Sequence, residues 1–156
     1  VEEVIVALAR KKNFTYGFAE SCTGGFCSHR ITGVSGSSSH FLGSVVSYAN
    51  SVKEQMLGVD DSLIKKYNVV STQVAEAMAT GLAQRLGLDF AVATTGIAGP
   101  LGGTFEIPTG TVCIAIKSPG GISSTRYNFL GDRELLKERF TQAALMDLLE
   151  SMENIV

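Results

Sequence analysis

Three observations predict an α/β fold with a mixed, mainly parallel sheet covered by helices on both faces. Short runs of β-branched and aromatic residues alternate with amphipathic stretches, the order that joins parallel strands through crossover helices. One of these runs, "LDFAVATTG", is too continuously apolar to have a solvent face, as befits a strand covered on both sides. The 156 residues, 45% of them hydrophobic, suffice for one sizeable core, so residues 1–156 are read as a single domain without internal repeat or linker.

The elements follow in order. Val1, Val4, Ile5 and Leu8 recur with the spacing of an amphipathic helix. "FTYGFAES" reads as a strand, and "CTGGFCSHRITGV" turns through two glycines into a short helix. "FLGSVVSYAN" is a second strand, and "SVKEQMLGV" supplies a helical turn or two. Asp60 and Asp61 are first-turn acids of "DDSLIKKY". "STQVAEAMATGLAQRLG" is the clearest helix, with Ser71 or Thr72 as N-cap, Val74, Met78 and Leu82 on one stripe, and Gly87 closing it. After the buried strand comes the loop "IAGPLGGTFEIPTG", long enough to suggest a role of its own. "TVCIAIKS" and "ISSTRYNFL" flank "PGG" as a hairpin, and "GDRELLKERFTQAALMDLLESM" is a closing helix capped by Asp132.

Composition narrows the function classes. A net charge of −2 with no basic run gives no electrostatic footprint for nucleic acid. No apolar run approaches the roughly 20 residues that span a bilayer, and the first residues are acidic, unlike a secretory signal. No membrane partner and a cytoplasmic location are therefore expected. Cys22, Cys27 and Cys113 lack paired metal-ligand spacing, so reduced thiols and no metal are expected.

Ligands of such sheets gather at the carboxyl ends of parallel strands. Those ends are Glu20 to Gly25, Tyr48 to Lys53 and Thr95 to Pro100, and the stretches that carry them, "ESCTGG", "GSSS…SYANSVK" and "TTGIAGP", are rich in small hydroxyl side chains and glycine. Glycines after a strand, such as Gly24, Gly25 and Gly96, let backbone N–H groups approach an anion, which makes a phosphorylated small molecule a reasonable ligand. Within "GSSSHFLGSVVSYANSVK" a serine run precedes Tyr48, Asn50 and Lys53. A serine needs a neighbouring base, histidines are limited to His29 and His40, and a partly buried lysine can fill that role when desolvation lowers its pKa. If the strand stays regular, Tyr48 and Asn50 point to one side. Equally, a serine run is commonly a polar loop, a lysine on a short helix is commonly solvated, and a strand tyrosine is commonly structural. A Ser–His pair using His40 and a Cys22 thiol activated at a helix start are further alternatives.

"AESCTGG", "GSSSHFLGSVVSYANSVKEQMLGV", "TGIAGP" and "GDRE" occur in this order, and together they resemble the CinA C-terminal domain family, the bacterial nicotinamide mononucleotide deamidases. The resemblance covers nearly the whole chain from about Phe14. It implies a three-layer α/β/α sandwich with a mixed five-stranded sheet, and hydrolysis of nicotinamide mononucleotide to nicotinate mononucleotide and ammonia without a cofactor. It further implies Ser38 as nucleophile with Tyr48 and Lys53 as activating partners. Ser21, Thr23, Gly24, Gly25, Asn50, Thr95, Gly96 and Arg133 are then substrate-binding, Arg133 through charge-assisted bonds to phosphate. A homo-oligomer, dimer or higher, is expected. The rival expectation is a catalytically silent nucleotide-binding regulatory domain, favoured by Leu101, Phe105 and Ile107 in a loop where the family is more polar. The loop Leu101 to Pro108 is expected to lie over the pocket.

Overall fold

The computed structural model describes residues 1–155. Its elements are α1 (Glu2–Lys12), β1 (Tyr16–Glu20), α2 (Phe26–Thr32), a 3-10 turn (Ser37–Ser39), β2 (Phe41–Val46), α3 (Asn50–Leu57), α4 (Asp61–Tyr67), α5 (Thr72–Leu86), β3 (Phe90–Gly96), β4 (Thr111–Ser118), β5 (Gly121–Asn128) and α6 (Arg133–Glu153). The sheet order is β2-β1-β3-β4-β5. β1 pairs in parallel with both β2 and β3, whereas β4 is antiparallel to both β3 and β5. Only β4 therefore runs against the rest, and the three-layer, mainly parallel expectation holds.

The period-2 alternation of the strands sorts large from small side chains. Tyr16, Phe18, Phe90, Val92, Ile114 and Ile116 face the layer of α1, α2 and α6. Ala19, Ala91, Ala93, Cys113 and Ala115 face the layer of α3, α4 and α5. Small residues on that face let α5 lie close to the sheet. Its own stripe, Val74, Met78 and Leu82, is completely buried as its spacing predicts. Ser71 caps α5 by accepting from Val74 N–H, and Gly87 ends it in the left-handed conformation. On α1 the buried stripe is Ile5, Val6 and Ala9, while Val4 is exposed, so the helix is rotated from the expected face.

α3 and α5 touch at Gly81, where an added Cβ would lie 1.8 Å from the Leu57 carbonyl oxygen. Gly81→Ala must push α3 away from α5. Overpacking of this kind costs about 1–3 kcal/mol, a fall in Tm of roughly 2–4 °C per kcal/mol for a chain of this size. Thermal unfolding of the variant checks it, and an unchanged Tm would show that the contact yields freely.

Candidate active site

The carboxyl ends of β1, β2 and β3 converge with the start of α6 on a cleft of about 250 Å³. Ser21, Tyr48, Asn50, Lys53, Thr95, Gly96 and Arg133 all line it, as do the apolar Val69, Val70 and Ile97. Strand parity explains which hydroxyls arrive. Beyond β1, Ser21 continues the small-residue side and turns toward α3; at the end of β3, Thr95 does the same and donates to the Val69 carbonyl at 2.9 Å. Glu20 and Thr94, one residue earlier on each strand, turn to the opposite layer.

Lys53 is the side chain around which the site is built. It shares the buried face of α3 with Leu57, one helical turn on, and is only 1% exposed. Its Nζ lies 3.0 Å from Ser21 Oγ, 2.7 Å from the Ser47 carbonyl and 3.1 Å from the Tyr48 carbonyl. No carboxylate pairs with it among the described residues. Burial pulls its pKa down to about 8, with Cys22 acting in the other direction. The three partners serve both protonation states. As an ammonium, Lys53 donates to all three oxygens. As a neutral amine it keeps its two N–H bonds on the carbonyls, which can only accept, and presents its lone pair to the Ser21 hydroxyl.

The turn carrying Ser21 is held from beneath. The Glu20 carboxylate is fully buried and accepts from Thr23 Oγ1 at 2.7 Å, Cys27 N–H at 2.9 Å, Ser28 N–H at 3.2 Å and Ser28 Oγ at 2.6 Å. Gly24 N–H bonds to the Ser21 carbonyl and Phe26 N–H to the Thr23 carbonyl. The N–H groups of Cys22, Thr23 and Gly25 meet no backbone carbonyl among the described residues.

Several expected placements change. Ser38 is not brought to Tyr48 and Lys53 within the chain. It lies exposed in the 3-10 turn before β2, and a six-residue strand, about 20 Å long, separates it from the end that carries them. The serine that reaches Lys53 is Ser21. The Tyr48 phenol does not touch Lys53 either; it accepts from Arg133 Nη2 at 3.2 Å, while Arg133 Nη1 donates to the Gly99 carbonyl at 2.8 Å. β2 ends at Val46 and Asn50 begins α3, so the two residues share the cleft without sharing a strand face. Thr23 points away from the cleft into the Glu20 network, and Gly24 and Gly25 supply the left-handed backbone of the turn, φ 59° and 98°. Cys22 is no activated thiol: burial drives its pKa up to about 12. His40 bonds Ser39 Oγ and Asn13 on the exposed surface, remote from Lys53. Of the loop, Leu101 and Gly102 line the cleft. Phe105 is fully exposed, and Ile107 faces a different depression beside Arg126, whose Nη2 holds the Glu106 carbonyl at 2.6 Å. Only the first part of the loop covers the site.

The comparisons converge on one family with this mixed α/β sandwich. The sequence model of the CinA C-terminal domain matches residues 1–152, and the chain belongs to that family. A CinA-like protein of Salinibacter ruber is 48% identical over 93% of the chain, and one of Chlorobaculum tepidum is 46% identical over 99%. The chain spans only 35% and 38% of the lengths of these relatives. Solved structures match almost end to end. A CinA superfamily protein of Klebsiella pneumoniae superposes with a TM-score of 0.93 at 28% identity, covering 97% of this chain and 95% of that one. A competence/damage-inducible protein of Agrobacterium tumefaciens superposes at 0.87 with 35% identity, covering 94% of each. Among the described residues no helix is long and apolar enough to cross a membrane.

Proposed function

We propose that this domain is a serine amidohydrolase that converts nicotinamide mononucleotide and water to nicotinate mononucleotide and ammonia. The observation that carries the reading is the 3.0 Å contact between a buried, unpaired lysine amine and a serine hydroxyl at the cleft wall. Neutral Lys53 takes the Ser21 proton as Oγ attacks the carboxamide carbon, the nucleophile–base pairing that acyl transfer requires. The oxyanion of the tetrahedral adduct is met by free N–H groups of the Ser21 turn, that of Cys22 foremost. The C–N bond then breaks and ammonia leaves with the proton that Lys53 gained. Water, deprotonated by Lys53, cleaves the resulting ester and restores Ser21. Val69, Val70 and Ile97 offer an apolar wall to the pyridine ring.

Arg133 at the mouth, joining Tyr48 and Gly99, is the group we assign to the phosphate. Arg133→Ala should raise KM for the mononucleotide by about 10–100-fold, as loss of a charged hydrogen bond worth roughly 1.5–3 kcal/mol implies, and should change turnover of the riboside little. Equal losses on both would make the arginine a brace between α6 and the Gly99 loop. The experiment for the function as a whole is ammonia release from nicotinamide mononucleotide by the purified protein, with product identified by mass. Binding without turnover would favour a silent regulatory domain, and activity lost to a chelator would favour a metal-activated water over Ser21.

A further inference from the structure

Beneath the cleft lies a chain of polar groups that takes no part in the chemistry above. Glu20 stands at the end of β1 with no cation paired to it among the described residues, and four donors converge on its two oxygens. Each oxygen receives one backbone N–H and one hydroxyl, the pattern of an ionised carboxylate, which can only accept. That fixes the direction of the rest. The Thr23 hydrogen is committed to Glu20, so in the 2.9 Å contact between Thr23 Oγ1 and Thr94 Oγ1 the donor is Thr94. The same Thr94 accepts the Ser21 N–H on its backbone carbonyl at 3.1 Å. On the other side Ser28 Oγ, bonded to Glu20, lies 2.8 Å from Ser44 Oγ, which in turn accepts from Phe18 N–H at 3.1 Å. One carboxylate thus orders hydroxyls drawn from the turn after β1, from β2, from β3 and from α2. Ser21 is thus held on two sides: by Glu20, the residue before it, and by its own N–H on the Thr94 carbonyl, whose side chain Thr23 fixes.

We propose that Glu20 is the positioning residue of this site: through Thr23, Thr94 and the first N–H groups of α2 it fixes the turn that sets the Ser21 hydroxyl against Lys53. The proposal rests on the serine–lysine reading for its catalytic consequence, but the ordering of the turn is independent of it. A buried carboxylate used in this way is costly, because an unpaired charge in the interior is tolerated only when its lone pairs are filled. The geometry it secures is of the kind for which a displacement of about 1 Å costs on the order of 100-fold in rate.

The test uses Glu20→Gln, Thr23→Val and Thr23→Ser, read in two ways. Glutamine presents an NH₂ group where one oxygen now receives two donors, and valine removes the hydroxyl while keeping the shape. On nicotinamide mononucleotide, Glu20→Gln and Thr23→Val should lower kcat by about 100-fold and leave KM within about threefold, and Thr23→Ser should restore most of the rate. Separately, iodoacetamide labelling of each native protein, mapped by mass spectrometry, should show Cys22 modified at least about tenfold faster in Glu20→Gln and Thr23→Val than in the wild type. Cys113, buried in β4 away from the turn, should label at the wild-type rate. Selective exposure of Cys22 marks a loosened turn. Cys22 and Cys113 rising together, or neither rising, would overturn the proposal, as would full kcat in Glu20→Gln. If the wild type releases no ammonia, the amidohydrolase reading falls and the labelling alone decides the role of Glu20.

Discussion

Ser21→Ala is expected to reduce nicotinamide mononucleotide deamidation by at least about 1,000-fold, while Ser38→Ala retains it within about twofold. The first figure is what removal of the nucleophile from a covalent mechanism costs when nothing replaces it. The second follows from place: Ser38 is exposed in a turn at the amino end of β2, and Lys53 reaches Ser21 instead. Steady-state ammonia release measures both. The folded state of Ser21→Ala needs little concern, because the lysine keeps its carbonyl partners at Ser47 and Tyr48. Full activity in Ser21→Ala would remove the nucleophile assignment, and a large loss in Ser38→Ala would require a second copy of the chain to bring that serine to the cleft.

The contrast between the two serines shows what the sequence could and could not tell. The convergence of three strand ends was legible, because alternating strands and helices force parallel neighbours and therefore a common carboxyl edge. Which serine stands at that edge was not legible from spacing. Ser38 is ten positions from Tyr48, but those positions include a whole strand, and a strand is the longest path between two points of a chain segment. Ser21 is 32 positions from Lys53 and touches it, because β1 and β2 lie side by side in parallel.

Parity hid the rest. Glu20 and Ser21 are adjacent in sequence yet face opposite layers, so a motif read as one loop in fact serves two purposes. A signal for Glu20 did exist: an acidic residue closing a strand whose five positions are all buried must find donors somewhere. Lys53 carried a signal as well. It precedes the buried Leu57 by four residues, and on a helix the two share a face; a lysine on a buried face is not a solvated one. By contrast, Phe105 and Ile107 were apolar residues in a glycine-rich loop, and nothing in their spacing distinguishes a loop that folds over the cleft from one that turns aside to meet Arg126.

Lys53→Arg and Lys53→Met are both expected to abolish activity, by about 1,000-fold or more, and the wild-type enzyme should lose kcat/KM on the acid side of about pH 8. The pH argument begins from burial, which disfavours the ammonium and pulls Lys53 from the ordinary lysine value down to about 8. The catalytic form is the neutral amine, so activity is at its plateau above that value. Below it the rate should fall about tenfold per pH unit, with about a tenth of the enzyme competent at pH 7. Stability carries the same sign. The folded state holds fewer protons than the unfolded one between about pH 8 and the ordinary lysine pKa of 10.5, so stability rises with pH across that window, and the burial cost is fully present below pH 8. Arginine separates the base from the charge: it restores a cation but cannot be deprotonated. Ser21→Ala combined with Lys53→Met should cost little beyond either change alone, because the two act as one unit. A rate independent of pH from 6 to 9, or substantial turnover in Lys53→Arg, would show that Lys53 holds the turn by its charge and that some other group takes the proton.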